Sequence, residues 1–241
     1  MLDLVRVAVC IPFLVYSCWS DVKTRRVTNK VWVLMLPISF VLLSYDFIKT
    51  PSSEWFYFAR WVIFSVAFIY IFMYLLFRMH AFGGADAKLL ILLSVLFPLY
   101  PKINGFPLLG LPPLNIFAFS VFGNTLIILI AIFPVGLFLY NTFKWKKFEK
   151  FSFIGYKVEI SKIKNKWIKL IEKYEEVDGK LTKKFKFGGM EIDDAVIEKL
   201  RTNYGENATV WVTPKLPTFP FMATGFFIAL LYGDLIFLLV K

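Results

Sequence analysis

The sequence reads as an all-α polytopic membrane protein, with six transmembrane helices and a small cytoplasmic α+β insert before the last of them. Three observations carry that reading. Of 241 residues, 58% are hydrophobic and 19% aromatic, with a mean hydropathy of +0.65, where soluble domains are less apolar and more charged. The apolar residues gather into runs of membrane-crossing length. The charged residues are clumped, with 17 of the 28 basic and 11 of the 17 acidic residues falling in positions 144–215. This pattern excludes a soluble globular enzyme, a disordered chain and a free-standing nucleic-acid binder.

A bilayer core needs about 20 mostly apolar residues per helix. Runs on that scale occupy residues 4–19, 27–45, 55–77, 87–99, 114–143 and 216–240. The fourth is short and holds Pro98, so it is expected to extend back through 83–86 or to sit shielded inside the bundle. The first run is followed, not preceded, by positive charge (Lys23, Arg25, Arg26), the reverse of a secretory signal. It is therefore read as a retained span with the N-terminus outside. The loops after spans one, three and five carry nearly all the Lys and Arg, which places those loops at the cytoplasmic face of the plasma membrane. The basic cluster at 144–150 is suited to anionic lipid, so the bilayer is an expected partner and nucleic acid is not.

The chain thus divides into a five-helix membrane region (1–143), a soluble insert (144–213) and a final span (214–241). Within the insert, alternation at 156–161, 181–187 and 208–213 predicts short strands. Asp193 is an N-cap-type acid opening a stretch of helical spacing.

Chemistry is limited by a short inventory. Cys10 and Cys18 lie in one apolar run, His80 is the single histidine, and no metal-ligand spacing or G-x-S-x-G context occurs. No metal or cofactor is expected. Six acids lie outside the insert: Asp3, Asp21, Asp46, Glu54, Asp86 and Asp234. Asp3, Asp46, Glu54 and Asp234 fall near outer ends and read as solvated interface charges. Asp21 and Asp86 fall at the cytoplasmic ends of two spans, at similar depth. A charge there faces the bundle or a wet cavity in preference to lipid. Two close carboxylates share one proton, so one can take a proton from water while the other gives one to a carbonyl oxygen. Gly83 and Gly84, just before Asp86, allow a non-helical backbone and close approach of another chain.

Gly83-Gly84-Ala85-Asp86 resembles the Gly-x-Gly-Asp motif of intramembrane aspartyl proteases, with Ala85 in place of the second glycine. Asp21-Val-Lys-Thr-Arg-Arg-Val-Thr-Asn29 is similar to the first-aspartate motif of type IV prepilin peptidases, with Thr28 in place of the usual proline. The six-span layout, the insert and Thr213-Pro-Lys-Leu-Pro217 resemble the archaeal preflagellin (archaellin) branch of that family. The resemblance implies catalytic Asp21 and Asp86. Gly83, Gly84 and Ala85 are read as the path of the substrate backbone, and Lys88, Arg26 and Asn29 as supporting residues, Lys88 and Arg26 chiefly as determinants of topology. The resemblance also implies the substrate: a preflagellin or prepilin-like membrane protein, cut after a short basic leader at the cytoplasmic face. Helix-end electrostatics point to Asp86 as starting base and Asp21 as starting acid, with Lys23 and Arg25 acting against the latter. Asn29 is expected to cap span two. A prepilin-type peptidase with pilin-like or binding-protein substrates is the near alternative; a proton-coupled transporter using the two aspartates is the alternative from another class.

Overall fold

The computed structural model describes residues 2–79, 81–146, 149–163, 167–177 and 180–240; His80 and Asp178 lie outside the described residues. The chain forms two compact units, one of Met1–Leu129 with Pro217–Lys241 and one of Ile130–Leu216.

The first unit is helical. Its elements are α1 (Leu2–Thr24), α2 (Asn29–Lys49), α3 (Trp55–Arg78), α4 (Gly84–Leu96), the first part of α5 (Phe117–Trp145), α7 (Thr218–Leu231) and α8 (Leu235–Val240). Among the described residues four helices, those starting at Leu2, Asn29, Ser52 and Phe117, are long and apolar enough to cross a membrane. Their outer surfaces expose Val33, Ile63, Ile71 and Ile130, as surfaces in contact with lipid do. The chain is a multi-pass membrane protein.

The short helix α4 is enclosed. It packs against α2 and α3, and Leu89, Leu90, Leu93, Leu96 and the following Phe97 are almost wholly buried. With 13 residues it is about 20 Å long, against about 30 Å of hydrocarbon. Such brevity is tolerated where protein, not lipid, surrounds the backbone ends.

The final apolar run does not form one continuous helix. It breaks after Leu231, because Gly233 takes φ +116° and Asp234 starts a new turn by accepting hydrogen bonds from the N–H groups of Ile236 (2.9 Å) and Phe237 (3.2 Å). Asp234 is buried and also accepts from Ser120 Oγ at 2.8 Å, so it is a structural cap and not the solvated interface charge expected. Asn124 holds the same break from α5, donating to Gly233 O and accepting from Leu235 N, both at 2.9 Å. Asp3 and Asp46 also depart from expectation: both pair with the buried Arg6 of α1.

The second unit holds the rest of α5, β1 (Tyr156–Glu159), β2 (Ile168–Val177), β3 (Lys180–Met190), α6 (Asp194–Tyr204) and β4 (Thr209–Pro214). The sheet is antiparallel in the order β1-β4-β2-β3. Its apolar core joins Val158, Ile160, Leu170 and Val212 to Ile197 and Leu200 of α6. The strands at 156, 181 and 208 and the Asp193 cap match the sequence pattern; Asp193 accepts from Val196 N at 2.8 Å. β2 was not predicted, because Ile168-Lys-Leu-Ile-Glu-Lys-Tyr-Glu-Glu lacks strict alternation.

Candidate functional site

Asp21 sits in the last turn of α1, 7% exposed. That turn is closed by local polar groups. Ser20 Oγ donates to Arg26 O (2.7 Å), and Thr24 Oγ1 donates to Ser20 O (2.9 Å) and Arg26 O (3.0 Å). Arg25 adopts φ +54°, the left-handed residue with which helices commonly end, and its N–H bonds Asp21 O at 2.9 Å. The chain re-enters a helix within four residues. Thr28 is the N-cap of α2, accepting from Lys30 N at 3.2 Å. Asn29 is therefore the first helical residue and not the cap. Its Oδ1 accepts instead from Lys88 Nζ at 2.8 Å, tying the start of α2 to the start of α4.

Asp86 stands in the first turn of α4, 5% exposed. Gly83 is the N-cap, and its N–H donates to Asp86 Oδ2 at 3.1 Å. A carboxylate in a first turn is favoured by the unpaired N–H groups and by the helix dipole. A Cβ on Gly83 would lie 3.1 Å from Asp86 Oδ2, whereas one on Gly84 would meet Phe77 at an ordinary 3.5 Å. Ala85 is half-buried against the apolar core of the helical unit. Arg26 is exposed; its carbonyl, already noted, is its contribution to the turn.

The two aspartates are joined through α7. Thr218 Oγ1 donates to Asp86 Oδ1 at 2.6 Å, and the N–H of the next residue, Phe219, donates to Asp21 Oδ2 at 3.1 Å. Consecutive Cα atoms are about 3.8 Å apart, so both carboxylates converge on one helix N-terminus, a natural site for negative charge. Phe219 is fixed in turn by Trp32 of α2, stacked at 6.0 Å between centroids. The cations flanking Asp21 are engaged elsewhere: Lys23 lies over the Trp19 ring (4.9 Å), and Arg25 Nη1 reaches the Asp21 main-chain oxygen at 3.5 Å. Among the described residues no cluster of three or more His, Cys, Asp or Glu is placed to hold a metal ion.

Sequence reasoning named Asp21 and Asp86, which the structure brings together, but did not name Thr218 or the Phe219 N–H that join them. The motif at 213–217 pointed to this helix entrance and stopped one residue short. The available signal was Pro217-Thr218, a helix-start proline followed by a lone hydroxyl at the mouth of an apolar run.

Two buried carboxylates, from the end of α1 and the start of α4, each given a donor by the first turn of α7, form a constellation suited to hydrolysis by paired acids. Residues 8–140 match the model of the type IV leader peptidase family, and residues 148–235 match that of the archaeal peptidase A24 C-terminus, type II. A preflagellin peptidase of Methanococcus voltae is 27% identical over 231 residues, which cover 89% of each chain. With more than half of its length matched from α1 through α5, this chain belongs to the type IV leader peptidase family.

Proposed function

We propose that the chain is an aspartic endopeptidase that removes the short basic leader from preflagellin (archaellin) precursors at the cytoplasmic face of the membrane. The observation that carries this reading is the pair of hydrogen bonds from Thr218 and Phe219, which hold Asp86 and Asp21 at one helix end. The similarity to the preflagellin peptidase of Methanococcus voltae supports the substrate class.

The mechanism needs one proton on the pair. Asp86 accepts two hydrogen bonds, from Gly83 N–H and Thr218 O–H, whereas Asp21 accepts one. Asp86 is accordingly the base that takes a proton from the attacking water. Asp21 is the acid that gives its proton to the scissile carbonyl oxygen as the tetrahedral intermediate forms. Collapse breaks the C–N bond, with a proton passing from Asp86 to the departing amine; the proton Asp21 donated returns to it from the intermediate's hydroxyl. The proposed topology has six spans, with α4 and α7 as the two short ones. The N-terminus lies outside, and residues 144–213 form a cytoplasmic insert between the membrane region (1–143) and the final span (214–241).

The test is leader removal from an archaellin precursor by membranes containing the wild type, Asp21→Asn or Asp86→Asn, with equal insertion confirmed by immunoblot. Loss in both variants is expected. Cleavage surviving in either one defeats the dyad.

A further inference from the structure

Beside the aspartates, α2 and α4 form an apolar groove of about 280 Å³, lined by Trp32, Val33, Leu36, Lys88, Ile91 and Leu92. It is continuous with the site at two points. Lys88 lies two residues beyond Asp86, and Trp32 stacks on Phe219, whose N–H holds Asp21. Trp32 is only 7% exposed, yet its indole N–H has no hydrogen-bond partner among the described residues. A buried donor of this kind is costly unless something satisfies it.

We propose that this groove receives the apolar segment of the substrate on the far side of the scissile bond from the leader, and that the Trp32 N–H bonds a substrate main-chain carbonyl. The proposal rests on the leader-peptidase reading above and adds the direction in which the substrate lies. Charge fixes that direction. Lys88, exposed at the groove's edge beside Asn29, repels a basic leader and leaves the groove to the uncharged segment. The apolar walls of Val33, Leu36 and Ile91 suit a hydrophobic helix. A carbonyl near the cut site, where the substrate must be extended to reach both carboxylates, is not used by its own helix and is free to accept from Trp32.

The experiment places a photoreactive phenylalanine analogue at Leu36, in an Asp86→Asn background that leaves the precursor uncut, and illuminates membranes with bound precursor. The same probe at Ile63, on the exposed face of α3, is the control. Crosslinks from position 36 that map to the apolar segment just after the cleavage site, and none from position 63, are expected. In otherwise wild-type enzyme, Trp32→Phe keeps the stacked ring and removes the donor; kcat/KM should fall by about ten-fold, the order expected of one lost hydrogen bond. Crosslinking to lipid alone from position 36, together with full activity in Trp32→Phe, overturns the proposal. An Asp86→Asn enzyme that still removes the leader instead overturns the dyad, a failure distinct from that of the groove.

Discussion

At the scale of single residues, the site depends on what touches the two carboxylates. A methyl group on Gly83 would press on Asp86 Oδ2 at 3.1 Å, while one on Gly84 would make an ordinary contact with Phe77. Gly83→Ala is therefore expected to lower kcat/KM by about 10²-fold, the order associated with small misplacements of a reacting group. Gly84→Ala should cleave near the wild-type rate. The reverse order in a leader-removal assay would mean that the glycines serve substrate passage and not the carboxylate. Thr218 gives a second contrast. Thr218→Ser retains the hydroxyl that bonds Asp86 and should stay active. Thr218→Val should lose about ten- to a hundred-fold, as hydrogen bonds to charged groups contribute about 1.5–3 kcal/mol; equal rates for the two variants would remove Thr218 from the machinery. The aspartates were legible in the sequence because acids near apolar runs are rare and conspicuous. Thr218 was not, since a hydroxyl at a helix start is ordinary and its partner lies 132 positions away. Asp234 was misread for a related reason: distance along an assumed straight helix placed it at an interface, whereas the turn at Gly233 buries it.

At the scale of elements, helix boundaries decide where the chemistry falls. α1 runs through Asp21 to Thr24, so the acid is presented from a helix and not from a loop. Thr28 takes over the N-cap of α2, and this releases Asn29 to bond Lys88. The position of α7 is set along its length by close packing on α5. A Cβ at Gly225 would lie 2.5 Å from Thr125 Oγ1 and 2.8 Å from Val121 O, and main-chain oxygen cannot move aside as a side chain can. Gly225→Ala should therefore destabilise the protein by about 1–3 kcal/mol, the usual cost of overpacking, and a thermal-unfolding midpoint in detergent equal to the wild type's would contradict it. In the second unit, the sequence pattern located β1, β3, β4 and α6 because alternation and an N-cap acid are local signals. β2 escaped because Ile168-Lys-Leu-Ile-Glu-Lys-Tyr-Glu-Glu lacks strict alternation, and its place between β4 and β3 is not a local property.

At the scale of the whole molecule, the number of spans determines the side on which every loop lies. Among the described residues four helices are long enough to cross unaided, and α4 and α7 are shorter. If α4 crosses, the 97–116 connection lies outside and α5 returns the chain to the cytoplasm before residue 144. If α4 instead turns back, that connection stays inside and α5 carries residues 144–213 out. The second arrangement would export most of the basic residues of the chain, against the bias that orients membrane proteins. The burial of α4 also removes the objection to its length, since enclosed helices need not match the bilayer. The two arrangements are separable by labelling single cysteines in intact cells with a membrane-impermeant maleimide, after replacing Cys10 and Cys18 by alanine. Lys102→Cys is expected to react at once, and Lys162→Cys only after permeabilisation. Labelling of Lys162→Cys in intact cells, with Lys102→Cys protected, would reduce the count to four through α5 and place the insert outside. It would also put the start of α7 on the face opposite Asp21 and Asp86, against the hydrogen bonds that Thr218 and Phe219 make to them, and so would count against the site as well as the span count.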